Sequence, residues 1–259
     1  MKGIKVGILG AGITGLLAAE ALHTLGIDYQ IMDREPTKPG GGFAGLHYLH
    51  DACGMNLGRG VVFNFVAGYN PRIGTLPHEQ YAEKVGLPVN NSMERLKTYE
   101  VVYDMEGAHQ KLLIRHGHKI VKMEADSEIL DELVFYFDRV ISTIPLWALF
   151  PEANCPKQEV GLIERLPALE GVFQSKPNFV VYNVNMKSPW YRASRIFGEE
   201  NMELARPFPT GSKTYKIFDT DFVLPEEYQG KLLLMGRYGT WKRSYLAHHA
   251  YYETLRRFA

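Results

Sequence analysis

The chain has 259 residues, 46% of them hydrophobic and 22% charged, an ordinary globular composition long enough for one large domain or two interlocked ones. Lys plus Arg and Asp plus Glu stand at 29 each, so no global field draws the protein toward nucleic acid or an anionic membrane, and such a partner would need a local patch. Cys53 and Cys155 have neither CxxC nor zinc-ligand spacing, and no apolar run reaches the roughly 18 residues of a membrane span, so a soluble, cytoplasmic protein without a metal site is expected.

Ile4 to Leu9 is a short, β-branched apolar run that suits a strand buried on both faces. It leads into Gly10-Ala11-Gly12-Ile13-Thr14-Gly15 and then LLAAEALHTL, a run of strong helix formers with Gly26 placed to end it. A second strand, Asp28 to Met32, stops at Asp33. The glycines divide the work between them. Gly10 permits a tight turn, Gly12 lets backbone approach a pyrophosphate, and Gly15 lets the helix pack closely on the strand. The free amides at the helix start, from Ile13 and Thr14, would face the phosphate charge. Asp33, about twenty residues on, is placed to accept hydrogen bonds from ribose hydroxyls, which argues against a 2′-phosphate and hence against NADP. Strand, turn, helix, strand and acid together give the context that a bare GxGxxG lacks.

Further along, Pro77 to Val85 predicts a helix. Lys119 to Glu124 and Ile129 to Tyr136 read as strands separated by a polar turn at Ala125 to Glu128. Asn178 to Met186, Arg195 to Phe197 and Lys213 to Phe218 predict three more strands. KLLLM, ending at Met235, predicts another, and Tyr245 to Phe258 a closing helix.

Three segments resemble the flavoproteins of the amine oxidase and UDP-galactopyranose mutase type. Arg34-Glu35-Pro36-Thr37-Lys38-Pro39-Gly40-Gly41-Gly42-Phe43 is similar to their acid-then-GG continuation. Phe137 to Leu146 resembles the strand that returns to the nucleotide-binding sheet, with Thr143 at its end. Gly236-Arg237-Tyr238-Gly239-Thr240-Trp241-Lys242 resembles the GRxGxYK segment of the mutases. The resemblance implies an α/β fold, a Rossmann-type FAD-binding domain interleaved with a reduced α+β substrate lobe. The FAD-binding pieces would be 1–46, 100–148 and 230–259, and the substrate lobe 47–99 and 149–229. It also implies non-covalent FAD held by Gly10, Gly12, Ile13, Thr14, Gly15, Asp33, Arg34, Gly41, Gly42, Phe43, Val121, Thr143, Gly236, Arg237 and Trp241. Arg237 would reach the pyrophosphate, since its planar fork binds phosphate bidentately.

In such enzymes the cofactor carries the chemistry and the protein positions the donor. The activity implied is oxidation of a C–N bond, giving an imine that water hydrolyses. His47 and His50 stand where related flavoproteins pass the isoalloxazine, as flavin partners or as bases for an ammonium substrate; a pair of core or surface histidines is the plain alternative. In Trp190-Tyr191-Arg192-Ala193-Ser194-Arg195, Arg195 is expected to clamp a carboxylate or phosphate beside Tyr191; solvated arginines flanking an edge strand would look the same. The compact second lobe resembles bacteriophage amino-acid (glycine) oxidases of thymine hypermodification, which implies a base-linked amine in DNA as one donor and a small-molecule amine as the other. Basic residues at 192, 195, 213, 216, 242, 243, 256 and 257 would serve DNA if they shared one face. A mutase-like sugar-nucleotide enzyme and a non-catalytic flavin-binding accessory protein are the alternatives, the chain's shortness standing against the first. Oligomeric state is open.

Overall fold

A computed structural model of the protein describes residues 3–35, 48–57, 60–69, 77–85, 99–164, 178–205 and 212–259. The apolar run at the start forms β1 (Lys5–Leu9), with Val6 to Leu9 buried, and the strong helix formers make α1 (Ile13–Thr24). Helix α1 is buried all round from Gly15 to Leu22, where every residue but Glu20 is apolar. Gly26, at φ +70°, stops it: Gly26 N–H donates to the His23 carbonyl and Ile27 N–H to that of Leu22, each at 3.0 Å. The chain returns as β2 (Asp28–Asp33), parallel to β1 with Lys5 opposite Asp28.

The order then runs β3 (Tyr48–Leu49), β4 (Val61–Tyr69), α2 (Pro77–Lys84), β5 (Tyr99–Asp104), α3 (Met105–His116), β6 (Ile120–Lys122), α4 (Leu130–Tyr136), β7 (Arg139–Ser142) and α5 (Leu146–Leu149). After these come β8 (Lys157–Glu164), β9 (Phe179–Asn183), β10 (Trp190–Ile196), β11 (Glu199–Leu204), β12 (Ser212–Ile217), β13 (Leu232–Leu234), α6 (Gly236–Thr240) and α7 (Ala247–Phe258).

Two sheets result. The first is wholly parallel, in the order β13-β7-β1-β2-β6, and the second has eight strands, β12-β8-β11-β10-β9-β4-β5-β3, antiparallel except for β4 beside β9. In the first, the chain moves from β1 outward to β2 and β6, then crosses back to β7 on the other side of β1. That reversal leaves a crevice beyond the carboxyl ends of β1 and β7, where open α/β sheets bind ligands. Helices α1, α3 and α7 cover one face, around Leu16, Leu17 and Leu22; α4, α5 and Trp241 cover the other, around Leu9, Met32 and Phe137. A boundary at residue 100 runs through β5, which belongs to the second sheet, before α3 brings the chain back.

One predicted strand is a helix. Residues 129–137 carry Leu130, Leu133, Val134 and Phe137 on the buried side while Phe135 and Tyr136 stay exposed, which is a helical spacing rather than an alternating one. The Asp126 carboxylate orders the turn before it, accepting from the amides of Glu128 and Ile129 at 2.9 and 3.3 Å. The strand expected at Arg195 begins earlier, at Trp190, and Phe197 lies beyond its end with a left-handed backbone (φ +55°).

Candidate functional site

The turn after β1 is built for close backbone approach. Gly10 has φ +97°, and a Cβ on Gly15 would lie 2.0 Å from the Gly10 carbonyl oxygen, so neither position accepts a side chain. Thr143, at the end of β7, seals the turn: its hydroxyl and its amide each donate to the Leu9 carbonyl at 2.9 Å. Gly12 is the N-cap of α1 and provides no side-chain cap, which leaves the first-turn amides, Ile13 and Thr14 among them, to an outside acceptor.

Asp33 ends β2 within this turn. Its Oδ2 accepts from the Ala11 amide at 2.8 Å and its Oδ1 from the Glu35 amide at 2.9 Å, so the carboxylate is fixed with lone pairs to spare. The Ala11 carbonyl is held by the buried His109 ring, Nε2 to O 3.1 Å. Burial lowers the His109 pKa below the ordinary histidine value, with the Ala11 hydrogen bond opposing, which favours the neutral Nε2–H donor. Nothing in the α3 sequence announced this support, because its partner is a backbone atom 98 residues away.

Of the other expected cofactor contacts, Val121 is half-buried in β6 opposite Met32, and Arg34 is exposed beside Asp33. Gly41, Gly42, Phe43 and His47 lie outside the described residues.

The C-terminal glycines meet the same turn. Gly236 has φ +79°, and a Cβ there would come within 2.7 Å of Thr14 Cγ2; one on Gly239 would lie 2.7 Å from the Ser142 carbonyl oxygen. Helix α6 therefore starts on the first turn of α1 and crosses the end of β7, and Arg237 leaves from that junction. The Arg237 side chain reaches solvent yet is hemmed in by protein, as in an open recess. Burial pushes its pKa down, Tyr238 opposes, and Arg192 and Arg243 add repulsion. Trp241 is not at this surface: it is 2% exposed, packs with Leu9 and Met32, and donates its indole N–H to the Pro156 carbonyl at 3.1 Å. It closes the core beneath α6 rather than walling a cofactor.

Above the turn, the inner face of the second sheet is charged. Arg192 and Glu203 are cross-strand neighbours on β10 and β11, with Nη2 to Oε2 3.2 Å, and Lys216 on β12 reaches the other oxygen of Glu203 at 2.7 Å. Burial works against the Glu203 carboxylate, but Arg192, Lys216 and Arg237 outweigh it and hold its pKa below the ordinary value. Tyr81 from α2 meets Tyr182 edge-on at 5.0 Å, and Lys216 Nζ lies 4.5 Å above the Tyr191 ring. Tyr191 is thus buried under this cluster, its hydroxyl meeting Gln158 Nε2 at 3.3 Å, and it lends a ring face rather than an exposed stacking surface.

Arg195 does not join. Strand alternation puts it on the opposite face from Arg192, where it pairs with Glu200 at 2.6 Å. The basic residues near it in sequence are scattered in the same way. Arg192 and Lys216 pair with Glu203, Arg243 pairs with Asp219, and Arg256 and Arg257 lie beside Glu253 on α7.

His50 follows β3, where its ring packs against Tyr48 at 4.9 Å and faces His248 at 5.8 Å; His248 meets His249 at 4.4 Å on the first turn of α7. Burial and the neighbouring His50 lower the His249 pKa against the pull of Glu253. The His248-His249 pair was readable in the sequence but had no visible tie to His50. On the far side of the parallel sheet a cavity of about 780 Å³ opens between α4 and β2, lined by Gln30, Met32, Met123 and Phe135, away from the glycine turn. Among the described residues no helix is long and apolar enough to cross a membrane.

No protein-family profile and no curated protein matches the chain. Solved structures do. Reduced UDP-galactopyranose mutase aligns with a TM-score of 0.58 at 14% identity, over 97% of this chain and 94% of that one. Tetrameric 2-methyl-3-hydroxypyridine-5-carboxylic acid oxygenase aligns at 0.52 and 13%, over 99% and 87%, and a variant of Klebsiella pneumoniae HpxO complexed with FAD at 0.50 and 13%, over 98% and 85%. The class is therefore defined by fold: a Rossmann-like parallel sheet joined to an antiparallel sheet, the architecture of FAD-dependent flavoproteins. The likeness to the mutase runs through both sheets.

Proposed function

We propose that the protein is an FAD-dependent oxidoreductase that oxidises a C–N bond in an amine or amino acid. The observation that carries the FAD part is the fit of the turn: Gly10 and Gly15 have no room for a side chain, the first-turn amides of α1 are uncapped, and Asp33 is fixed among them. In this reading those amides hold the diphosphate, Asp33 the ribose, backbone near Val121 the adenine, and Arg237 closes over the cradle from α6. Bound FAD would supply a two-electron acceptor for breaking a C–H bond beside nitrogen.

The protein's own residues do the rest. His50, with His248 and His249 beside it, supplies imidazoles able to take the proton of an ammonium substrate, since the neutral amine is the form oxidised. The second sheet covers the site and excludes water. The imine product hydrolyses after release.

The test is to incubate the purified protein with excess FAD, remove free cofactor, and screen amines and amino acids anaerobically for bleaching of the visible flavin band. Retained colour with bleaching by an amine, and ammonia release, is expected. A colourless protein with an unchanged melting temperature ends the FAD reading. Colour that no amine bleaches ends the C–N reading and leaves an accessory flavin protein. A base-linked amine in DNA would make substrate binding weaken steeply with salt, whereas a flat response restricts the donor to small molecules. The charged roof favours one second reading, a sugar-nucleotide mutase, which dithionite-dependent isomerisation without peroxide would reveal.

A further inference from the structure

The roof holds more buried positive charge than it neutralises. Arg192 and Lys216 converge on Glu203, the one carboxylate among the described residues that pairs with either of them, which leaves an excess of one positive charge there. Nearby Arg243 is matched by Asp219, and Lys84 donates to the Asn185 and Trp190 carbonyls at 2.7 Å each. Donors also remain unused. Arg192 spends Nη2 on Glu203, while its buried Nε has no hydrogen-bond partner among the described residues. Buried cations are costly unless paired, and a guanidinium with free edges presents a fork that matches an oxyanion.

We propose that Arg192 and Lys216 form the binding site for an anionic group of the substrate, a carboxylate or a phosphate, with Glu203 holding the two roof cations in register. This deepens the function proposed above and rests on its placing of substrate between the glycine turn and the second sheet. It also moves anion recognition from Arg195 to Arg192. The buried Tyr81 and Tyr191 rings pack against Tyr182 and Lys216 and hold the cluster in place.

The probes are benzoate, inorganic phosphate and inorganic pyrophosphate, with benzamide as the neutral control. Each is titrated into FAD-loaded protein and followed by the flavin spectrum and by melting temperature. At least one anion should bind saturably and benzamide should not. Arg192→Gln and Lys216→Met should each weaken the anion by roughly 10- to 100-fold, the range of a charge-assisted hydrogen bond. Glu203→Gln should tighten it by removing the competing carboxylate. Arg192→Lys keeps the charge and the ion pair but loses the fork, so it should fold like the parent and still bind benzoate more weakly. Preference for benzoate assigns an amino-acid type of donor, and preference for pyrophosphate a nucleotide-linked one.

The proposal is overturned if no anion binds saturably, if the Arg192 and Lys216 variants bind as the parent does, or if FAD loading expels the anion and so places it in the cofactor cradle. These failures are distinct from failure of the FAD reading, because melting temperature reports the anion in colourless protein too.

Discussion

Gly15 shows how little latitude the cradle has. A methyl group there must displace the Gly10 carbonyl, which is backbone and cannot swing away, so Gly15→Ala is expected to destabilise the protein by about 1–3 kcal/mol and to abolish FAD retention. The visible spectrum after desalting and a denaturation curve measure the two effects. Asp33→Ala acts differently. It leaves the Ala11 and Glu35 amides without their acceptor and removes the proposed ribose contact, so FAD affinity should fall by roughly 10- to 100-fold in a fluorescence titration while the protein remains folded. If Asp33→Ala binds FAD as tightly as the parent, the ribose role is wrong.

At the scale of elements, α1 is fastened to α3 by an ionic knot behind the turn. Glu20 takes hydrogen bonds from Arg115 and, at 2.8 Å, from His116 Nε2, whose other nitrogen meets the Tyr29 hydroxyl at 2.7 Å. The His116 hydrogen bond leads in lowering the Glu20 pKa, burial opposes it, and Arg115 assists. A carboxylate with a lowered folded pKa stabilises the fold above its unfolded value, near 4.5, and loses that contribution as pH falls through the folded value. Glu20→Gln should therefore cost about 1–3 kcal/mol at pH 7, and the gap to the parent should close in acid below that window. Urea titrations at both pH values test the sign, and a gap that widens in acid refutes it.

The same scale shows what the sequence could disclose. The first 35 residues were legible because strand, turn, helix and acid are adjacent in the chain and each restricts its neighbour. Residues 129–136 were misread because a dense apolar stretch hides its period until Phe135 and Tyr136 are seen to face out. Arg192 and Arg195 differ in parity, but which of them turns inward depends on strands 157–164, 199–204 and 212–217 and on the bulge after Trp190. Glu203 and Lys216 could not be tied to Arg192 for the same reason: their meeting is made by sheet pairing and not by spacing.

Across the whole molecule, a ligand held by β1, β2, β7 and α6 together binds only the folded chain. FAD at about a hundred times its Kd should add about 2.7 kcal/mol and raise the Tm by roughly 5–10 °C for a chain of this size. A thermal scan with and without FAD measures this, and an unchanged Tm at saturating FAD would mean that these elements do not form one site.

The strand β13 lies at the edge of the parallel sheet beside β7, and α7 lies along α1, yet both come from residues beyond 230, after every strand of the other sheet. During synthesis the ribosome delivers the glycine turn well before Arg237. A nascent chain halted between these points would carry a bare sheet edge and an uncovered flank on its first helix, a natural client for a chaperone.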